Sequence, residues 1–312
     1  MIALSILIVT WNSQDVIYQC LRSIELDPLP LEYKIYVADN ASVDGTVEII
    51  NKYFPAVDIV INRNNIGFGA ANNQLIRRCN SEIILFLNPD TILQNRSIQL
   101  MINHFNQNKS VGVVGPRLIN RNGSPQLIDM RFPKWITPVM DSIFLKKALG
   151  INDGLRLVRS NLPSTNAFEV DWVMGACLMT KREILDEVGY FDEQYFLFCE
   201  EMDLCYRIKQ KGWKVVYLSQ STVVHLGGIG IDLYDSRKIY EIHKSQLLFF
   251  QKIYSKKDYM LLKTAYIIKA LLRIAQWQVA YLELSRLSIE KIKGYLMVLR
   301  YLMPFSAKKK YI

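Results

Sequence analysis

Two acidic stretches and one histidine in this 312-residue chain carry side chains whose types and spacing could do chemistry. Asp90 follows five apolar residues, Ile83–Leu87, and the pair Asn88–Pro89. A carboxylate there could ligate a divalent cation that carries a diphosphate, because hard cations take oxygen ligands. The same position could equally cap a following helix. Glu200, Glu201 and Asp203 lie within four residues at the start of a helical pattern, just after the apolar Phe196–Phe198. Crowded acids raise one another's pKa, which suits a general base. Acids at a helix start also answer the helix dipole with no chemistry at all. His225 is one of three histidines, with His104 and His243. After a strand, an imidazole is either a ligand or a hydrogen-bonded structural residue.

These side chains need a scaffold. Ile83–Leu87 is a continuous apolar run, as in a strand buried on both faces, and Pro89 cannot extend its ladder. Ile2–Val9 reads the same way and leads through Thr10–Trp11–Asn12–Ser13 into a helical Gln14–Ile24. Tyr33–Ala38 is a second strand ending in Asp39–Asn40, where an acid can contact a nucleoside or simply shape a turn. Val57–Ile61 is a third, followed by Asn65–Ile66–Gly67–Phe68–Gly69, whose glycines permit close backbone approach or positive φ. Four βα units with polar side chains after each strand predict a doubly wound, mostly parallel sheet with ligands beyond its carboxyl edge. Neither a GxGxxG fingerprint nor a Walker A loop is present. Residues 116–170 are loop-rich and are expected to face an acceptor, to form a lid, or to be a plain surface excursion. Val170–Met179 returns to strand character with Gly175–Ala176 inside it, and Lys181–Val188 is a short helix. Trp213–Leu218 and Thr222–Val224 complete the sheet.

Charge divides the chain. Residues 1–235 hold 22 Lys+Arg and 25 Asp+Glu, whereas residues 236–312 hold 16 and 4, so the net +9 resides in the last quarter. There Ile239–Tyr254 and Tyr259–Arg300 are helical in pattern. Ile267, Leu271, Ile274, Tyr281, Ile292, Tyr295 and Leu299 fall on one side, with Lys269, Arg273, Glu283, Glu290 and Lys291 on the other. No uncharged apolar run reaches the ~18 residues of a spanning helix. Residues 259–312, ending in Lys308–Lys309–Lys310, are therefore expected to lie on an anionic membrane surface. A helical hairpin packed on the rest of the chain, or a homo-oligomer contact, is the competing expectation. Nucleic acid lacks a recognition motif. The five cysteines are odd in number with no CxxC pair, which argues for reduced thiols and against zinc. Ile2–Val9 has no basic flank or cleavage site, so a cytoplasmic protein, peripheral on the inner face of the plasma membrane, is expected.

The ordered stretches Ser5–Asn12, Val37–Thr46, Asn65–Gly69 and Leu87–Asp90 resemble the successive signatures of family 2 glycosyltransferases, a likeness covering about residues 1–250. That resemblance implies a GT-A fold over 1–235, with a donor half at about 1–115 and an acceptor half at about 116–235, followed by a basic helical extension over 236–312. It implies a nucleotide-diphosphate sugar donor, a divalent metal (Mn2+ or Mg2+) and inverting transfer. Thr10, Trp11, Asn12, Asp39, Asn40, Asn65, Gly67, Phe68, Asn88 and Asp90 would bind the donor. Asn88 departs from the Asp that the family often carries there. Glu200–Asp203 resembles the family's acidic signature, which places the general base on Glu201, where Asp is commoner. Trp172, Gly175, Ala176, Glu200 and Asp203 would face the acceptor. Val223–Gly228 resembles the context in which the family's histidine binds metal, so His225 would join Asp90. The motifs look closest to the rhamnosyltransferase branch, implying dTDP-L-rhamnose, or a UDP-linked sugar, and a lipid-linked or oligosaccharide acceptor in bacterial surface glycan synthesis. Two other readings stand beside this one. A metal-dependent nucleotidyltransferase would bring a phosphate loop that Thr10–Trp11–Asn12 is not. A glycan- or lipid-binding scaffold without catalysis is kept open by Asn88 and Glu201.

Overall fold

The computed structural model describes residues 3–27, 29, 31–94, 96–126, 130–134, 167–227, 236–280 and 286–303. Most of the 116–170 segment, together with Tyr281, Glu283 and Lys308–Lys310, lies outside the described residues. The described chain forms two compact units: the first comprises 3–132, 167–196 and 200–227, the second 133–134, 197–199 and 236–303.

The first unit is built on one sheet. Its strands are β1 (Leu4–Thr10), β2 (Tyr33–Asp39), β3 (Asp58–Ile61), β4 (Ile83–Leu87), β5 (Thr91–Gln94), β6 (Val111–Ile119), β7 (Ala167–Val170), β8 (Cys177–Lys181) and β9 (Lys214–His225). The spatial order is β3-β2-β1-β4-β8-β6-β9-β5, with β7 beside β9. β3, β2, β1 and β4 run parallel, in register from Leu4 against Tyr33 and Ile83. Beyond β4 the sheet is mixed: β8 is antiparallel to β4 and β6, β6 is parallel to β9, and β5 is antiparallel to β9. The helices are α1 (Ile17–Leu26), α2 (Thr46–Tyr53), α3 (Phe68–Arg78), α4 (Ser97–Gln107), α5 (Arg182–Val188) and α6 (Glu200–Gln210).

The continuous apolar runs are explained by two cores, one on each face. Ile6, Ile8, Leu85 and Leu87 pack with Ile17, Leu21 and Ile98 on one side. Leu7, Val9, Ile84 and Phe86 pack with Leu75, Ile184 and Leu204 on the other. Alternate residues of one strand therefore feed opposite cores, and no polar face is left to mark the period. Two elements differ from the sequence reading. Asp90 is followed not by a helix but by β5, and Val170–Met179 is not one strand. The chain leaves β7 at Val170 and re-enters the sheet at Cys177, so Gly175–Ala176 lies in a connecting loop. Asp171 drives that exit, accepting from Phe132 N at 2.9 Å and pairing with Lys209 at 3.0 Å.

The second unit holds α7 (Ser236–Ile253), α8 (Lys256–Ala280) and α9 (Arg286–Leu302), with α7 and α8 both packed on α9. Leu247, Phe250, Leu262, Tyr266 and Val298 form its interior. His243 sits between the rings of Tyr266 and Tyr295, and burial pushes its pKa down to about 3, so it is a neutral core residue. The expected single apolar side of 259–300 is divided: Leu299 is buried, whereas Leu271 is half exposed with Met260, Leu261, Ile268 and Leu272. α8 buries its Leu262–Ala270 face and turns a second apolar stripe outward. No described helix is long and apolar enough to cross a membrane.

Candidate active site

The strand directions bring the candidate residues to one edge. Thr10 and Asp39 end β1 and β2 side by side, and the Asn40 N–H donates to the Thr10 carbonyl at 2.8 Å. Their loops interlock. Asn12, at φ +49°, donates its N–H to Ser42 Oγ at 2.8 Å and accepts from Val43 N at 2.9 Å. Asp39 is buried and accepts from Ser42 N at 2.9 Å and Ser42 Oγ at 2.5 Å. Turn-making by Asp39 is thus visible, and its remaining lone pairs are what a nucleoside could meet. Asn40 Nδ2 reaches the Gly67 carbonyl at 3.2 Å and Asn65 Oδ1 at 3.3 Å, while Asn40 Oδ1 accepts from Asn62 at 2.9 Å. Gly67, at φ +91°, lies so close to Phe196 that a Cβ would stand 2.5 Å from its carbonyl oxygen. Phe68 N donates to that same oxygen at 3.0 Å. Trp11 is half-buried, and Thr10 Oγ1 is buried with no hydrogen-bond partner among the described residues.

The other half of the site forms where β4, β8 and β9 meet this edge. Because β8 is antiparallel to β4, with Leu87 opposite Cys177, the loop before β8 lies beyond the carboxyl end of β4. The Asn88 N–H donates to the Ala176 carbonyl at 2.9 Å. β5 pairs Thr91 with His225 at the end of β9, and Leu226 N donates to the Asp90 carbonyl at 2.9 Å. This pairing brings Asp90 Oδ1 within 3.5 Å of His225 Nε2, both side chains largely buried. Two ligands each ~2.0–2.2 Å from one divalent ion are spaced close to this, and carboxylate oxygen with imidazole nitrogen suits Mn2+. The pair therefore fits a divalent cation. Among the described residues no group of three or more His, Cys, Asp or Glu could hold one, so a diphosphate and water would complete the shell.

Glu201 lies in the first turn of α6, against the Gly175 loop: a Cβ on Gly175 would be 3.5 Å from Glu201 Cβ and 3.8 Å from Cδ. The Gly175 and Met202 N–H groups donate to its carboxyl and pull its pKa down, but burial outweighs them and raises it. Its Oε2 is buried and has no partner among the described residues. Glu200 is more deeply buried, and desolvation together with Glu201's charge lifts its pKa well above the ordinary value. The left-handed Phe198 and Cys199, at φ +70° and +66°, directly precede this pair. Strained non-glycine backbone of this kind is characteristic of functional positions. Asp203 is engaged within the fold: it accepts from Arg207 Nε at 2.8 Å, and the same guanidinium holds the carbonyls of Val188, Gly189 and Tyr190. Trp172 donates its indole N–H to the Arg131 carbonyl at 3.1 Å. A small cleft lined by Gly115, Leu118, Gln126, Met130, Met174 and Cys177 among others lies between His225's neighbour Gln126 and the loop beside Glu201. Sequence reasoning missed Gln126 and the bond from Asn62 to Asn40. Asn122–Gly123, a turn dipeptide, was the available sign that the chain reverses after β6 and brings Gln126 back.

A parallel sheet that turns mixed at β8, with an Asp–His pair and a half-buried Glu on one edge, defines a GT-A transferase fold. The profile of glycosyl transferase family 2 matches residues 5–189, and the chain belongs to this family. Among its curated relatives is N-acetylglucosaminyl-diphospho-decaprenol L-rhamnosyltransferase of Mycobacterium tuberculosis, 27% identical over 202 residues that make up 61% of this chain and 66% of that protein. Rhamnosyltransferase WbbL of Escherichia coli is 26% identical over 230 residues, 70% of this chain and 82% of the relative. In fold, the chain resembles the mannosyltransferase PcManGT from Pyrobaculum calidifontis, solved with GDP-Man and Mn2+. The TM-score is 0.57 at 16% identity, covering 97% of this chain and 87% of that one.

Proposed function

We propose that this chain is an inverting glycosyltransferase that moves a sugar, L-rhamnose from dTDP-L-rhamnose as first choice, to a hydroxyl of a lipid-linked or polysaccharide acceptor in bacterial surface glycan synthesis. The observation that carries the proposal is the meeting of Asp90 and His225 at 3.5 Å on the sheet's carboxyl edge. The choice of donor and acceptor rests on the rhamnosyltransferase relatives. Family membership argues against the nucleotidyltransferase reading, and the free Oε2 of Glu201 argues against a scaffold without catalysis.

In this reading Asp90 and His225 hold Mn2+ or Mg2+, which when bound neutralises the diphosphate leaving group as a Lewis acid. Thr10, Trp11, Asn12, Asp39, Asn40, Asn65, Gly67 and Phe68 surround the nucleoside, and Asn88 lies with Asp90 at the diphosphate. Glu201 Oε2 takes the proton of the acceptor hydroxyl while the hydroxyl oxygen attacks the anomeric carbon opposite the departing diphosphate. The new C–O bond forms as the bond to the diphosphate breaks, which inverts the configuration. The raised pKa makes Glu201 a stronger base than a free glutamate. Glu200, kept toward its acid form, spares the base a second negative neighbour. Trp172, Gly175 and Ala176 face the acceptor, and Asp203 acts through the α6 backbone that it anchors.

The catalytic domain is taken as 1–235 and the basic extension as 236–312, with the protein held peripherally on the inner face of the plasma membrane. α8 supports this: its outward stripe of Met260, Leu261, Ile268, Leu271 and Leu272 is flanked by Lys263, Lys269 and Arg273, a pattern suited to anionic lipid. A thermal-shift panel of dTDP-, UDP- and GDP-sugars with Mn2+ tests the core of the proposal. A metal-dependent rise in melting temperature with one nucleotide class is expected, and no rise with any would return the chain to a scaffold.

A further inference from the structure

Gln126 stands behind His225 with its amide orientation fixed. Its Nε2 donates to the His225 carbonyl at 2.7 Å and to Asn120 Oδ1 at 3.0 Å. Turning the amide over would set Oε1 against two acceptor oxygens, so Oε1 must be the atom 2.9 Å from His225 Nδ1. An amide oxygen there can only accept, which places the hydrogen of the neutral ring on Nδ1. His225 Nε2 is then a bare lone pair facing Asp90 Oδ1 at 3.5 Å. Two acceptors facing each other are unfavourable unless a cation lies between them. The loop that carries Gln126 is itself held. Asn120 N donates to the Ser124 carbonyl at 2.8 Å, Gly123 turns at φ +80°, and Gln126 N donates to the Leu118 carbonyl at 2.9 Å.

We infer that Gln126 is a positioning residue for metal binding: it locks His225 in the Nδ1–H form and aims Nε2 at the cation shared with Asp90. The inference rests on the metal-site reading above and adds the residue that prepares one of its ligands. Partners of this kind typically govern ~10–100-fold in metal affinity.

The test joins a spectroscopic readout with a binding one. In 15N-histidine spectra of the wild-type chain, His225, assigned by its loss in His225→Ala, is expected to carry a hydrogen on Nδ1 held toward Gln126, and Gln126→Leu is expected to lose that preference. A ring that carries no hydrogen on Nδ1 overturns the inference without any variant. Mn2+ affinity in the presence of dTDP and of UDP is then followed by electron paramagnetic resonance. Gln126→Leu should weaken it about tenfold or more. If Asp90→Asn and His225→Ala weaken Mn2+ binding but Gln126→Leu does not, Gln126 has no positioning role. If Asp90→Asn and His225→Ala leave binding unchanged, the metal site itself is misassigned and the inference falls with it.

Discussion

Gly67→Ala should be among the most damaging single-methyl additions in the first unit. Gly67 sits at φ +91° and ψ +170°, a region that only glycine occupies readily, and forcing alanine into it costs ~1–3 kcal/mol. The added Cβ would also stand 2.5 Å from Phe196 O and 3.1 Å from its ring, against backbone that cannot swing aside. Overpacking of this kind costs ~1–3 kcal/mol. Together they give about 2–6 kcal/mol, a large part of a typical domain's ~5–15 kcal/mol. Relief requires the loop to leave Phe196, breaking the Phe68 N–H bond to its carbonyl and loosening the Asn40 and Asn65 bonds to Gly67. Nucleotide binding should weaken with stability. Urea unfolding and nucleotide-dependent thermal shift measure the two. Gly212→Ala is the control: φ is +86° but nothing lies within 4 Å, so only the conformational cost of ~1–2 kcal/mol applies. Equal losses in the two variants would refute the close-approach argument.

Glu200's folded-state pKa is raised above its unfolded value by burial and Glu201, so its favourable contribution is complete below the unfolded value and is lost as pH rises through the folded one. Glu200→Gln should therefore change stability little near about pH 4 and stabilise toward neutral pH, by about 2–4 °C in melting temperature per kcal/mol; an opposite trend in melting scans across pH would reverse the assignment. Arg207→Ala leaves the buried Asp203 unpaired and three carbonyls without their donor, and should cost about 3 kcal/mol in urea unfolding. A loss under about 0.5 kcal/mol would show that the guanidinium is not an anchor. Leu271→Glu combined with Leu272→Glu removes two outward apolar side chains of α8, each worth ~1.5–3 kcal/mol when buried in lipid. Co-sedimentation with phosphatidylserine vesicles should fall at least about tenfold; wild-type protein that never binds them, or a variant that binds as well, would leave a second copy of the chain as the occupant of that face.

The first ninety residues were legible because the central parallel strands are buried on both sides: Ile83–Leu87 carries that burial as an unbroken apolar run, and Leu4–Val9 is interrupted only by the buried Ser5. Asp90 was legible as a carboxylate at a strand end, but the strand after it was not. β5 is four residues long and only half buried, too short for a period to show. That strand brings His225 to Asp90 across 135 positions of sequence, so local pattern could not reveal how the two meet. The same limit hid Gln126, which reaches His225 through a hairpin turn in a segment with no periodicity. Crowding with Glu200 was expected to raise Glu201's pKa; burial raises it instead, and the crowding acts on Glu200, which Glu201's charge lifts further. Asp203, read with the acceptor side, has its carboxylate committed to Arg207.

The central claim is that Glu201 is the base of a sugar-nucleotide transferase site. The most direct test compares wild-type protein with Glu201→Gln for nucleoside-diphosphate release from the sugar nucleotide that binds, with Mn2+ and with water or a hydroxyl acceptor present. Equilibrium binding of the same donor is measured in parallel. Donor affinity within about twofold of wild type with turnover reduced ~10^2–10^4-fold is the expected result. Turnover near the wild-type rate in Glu201→Gln would contradict it.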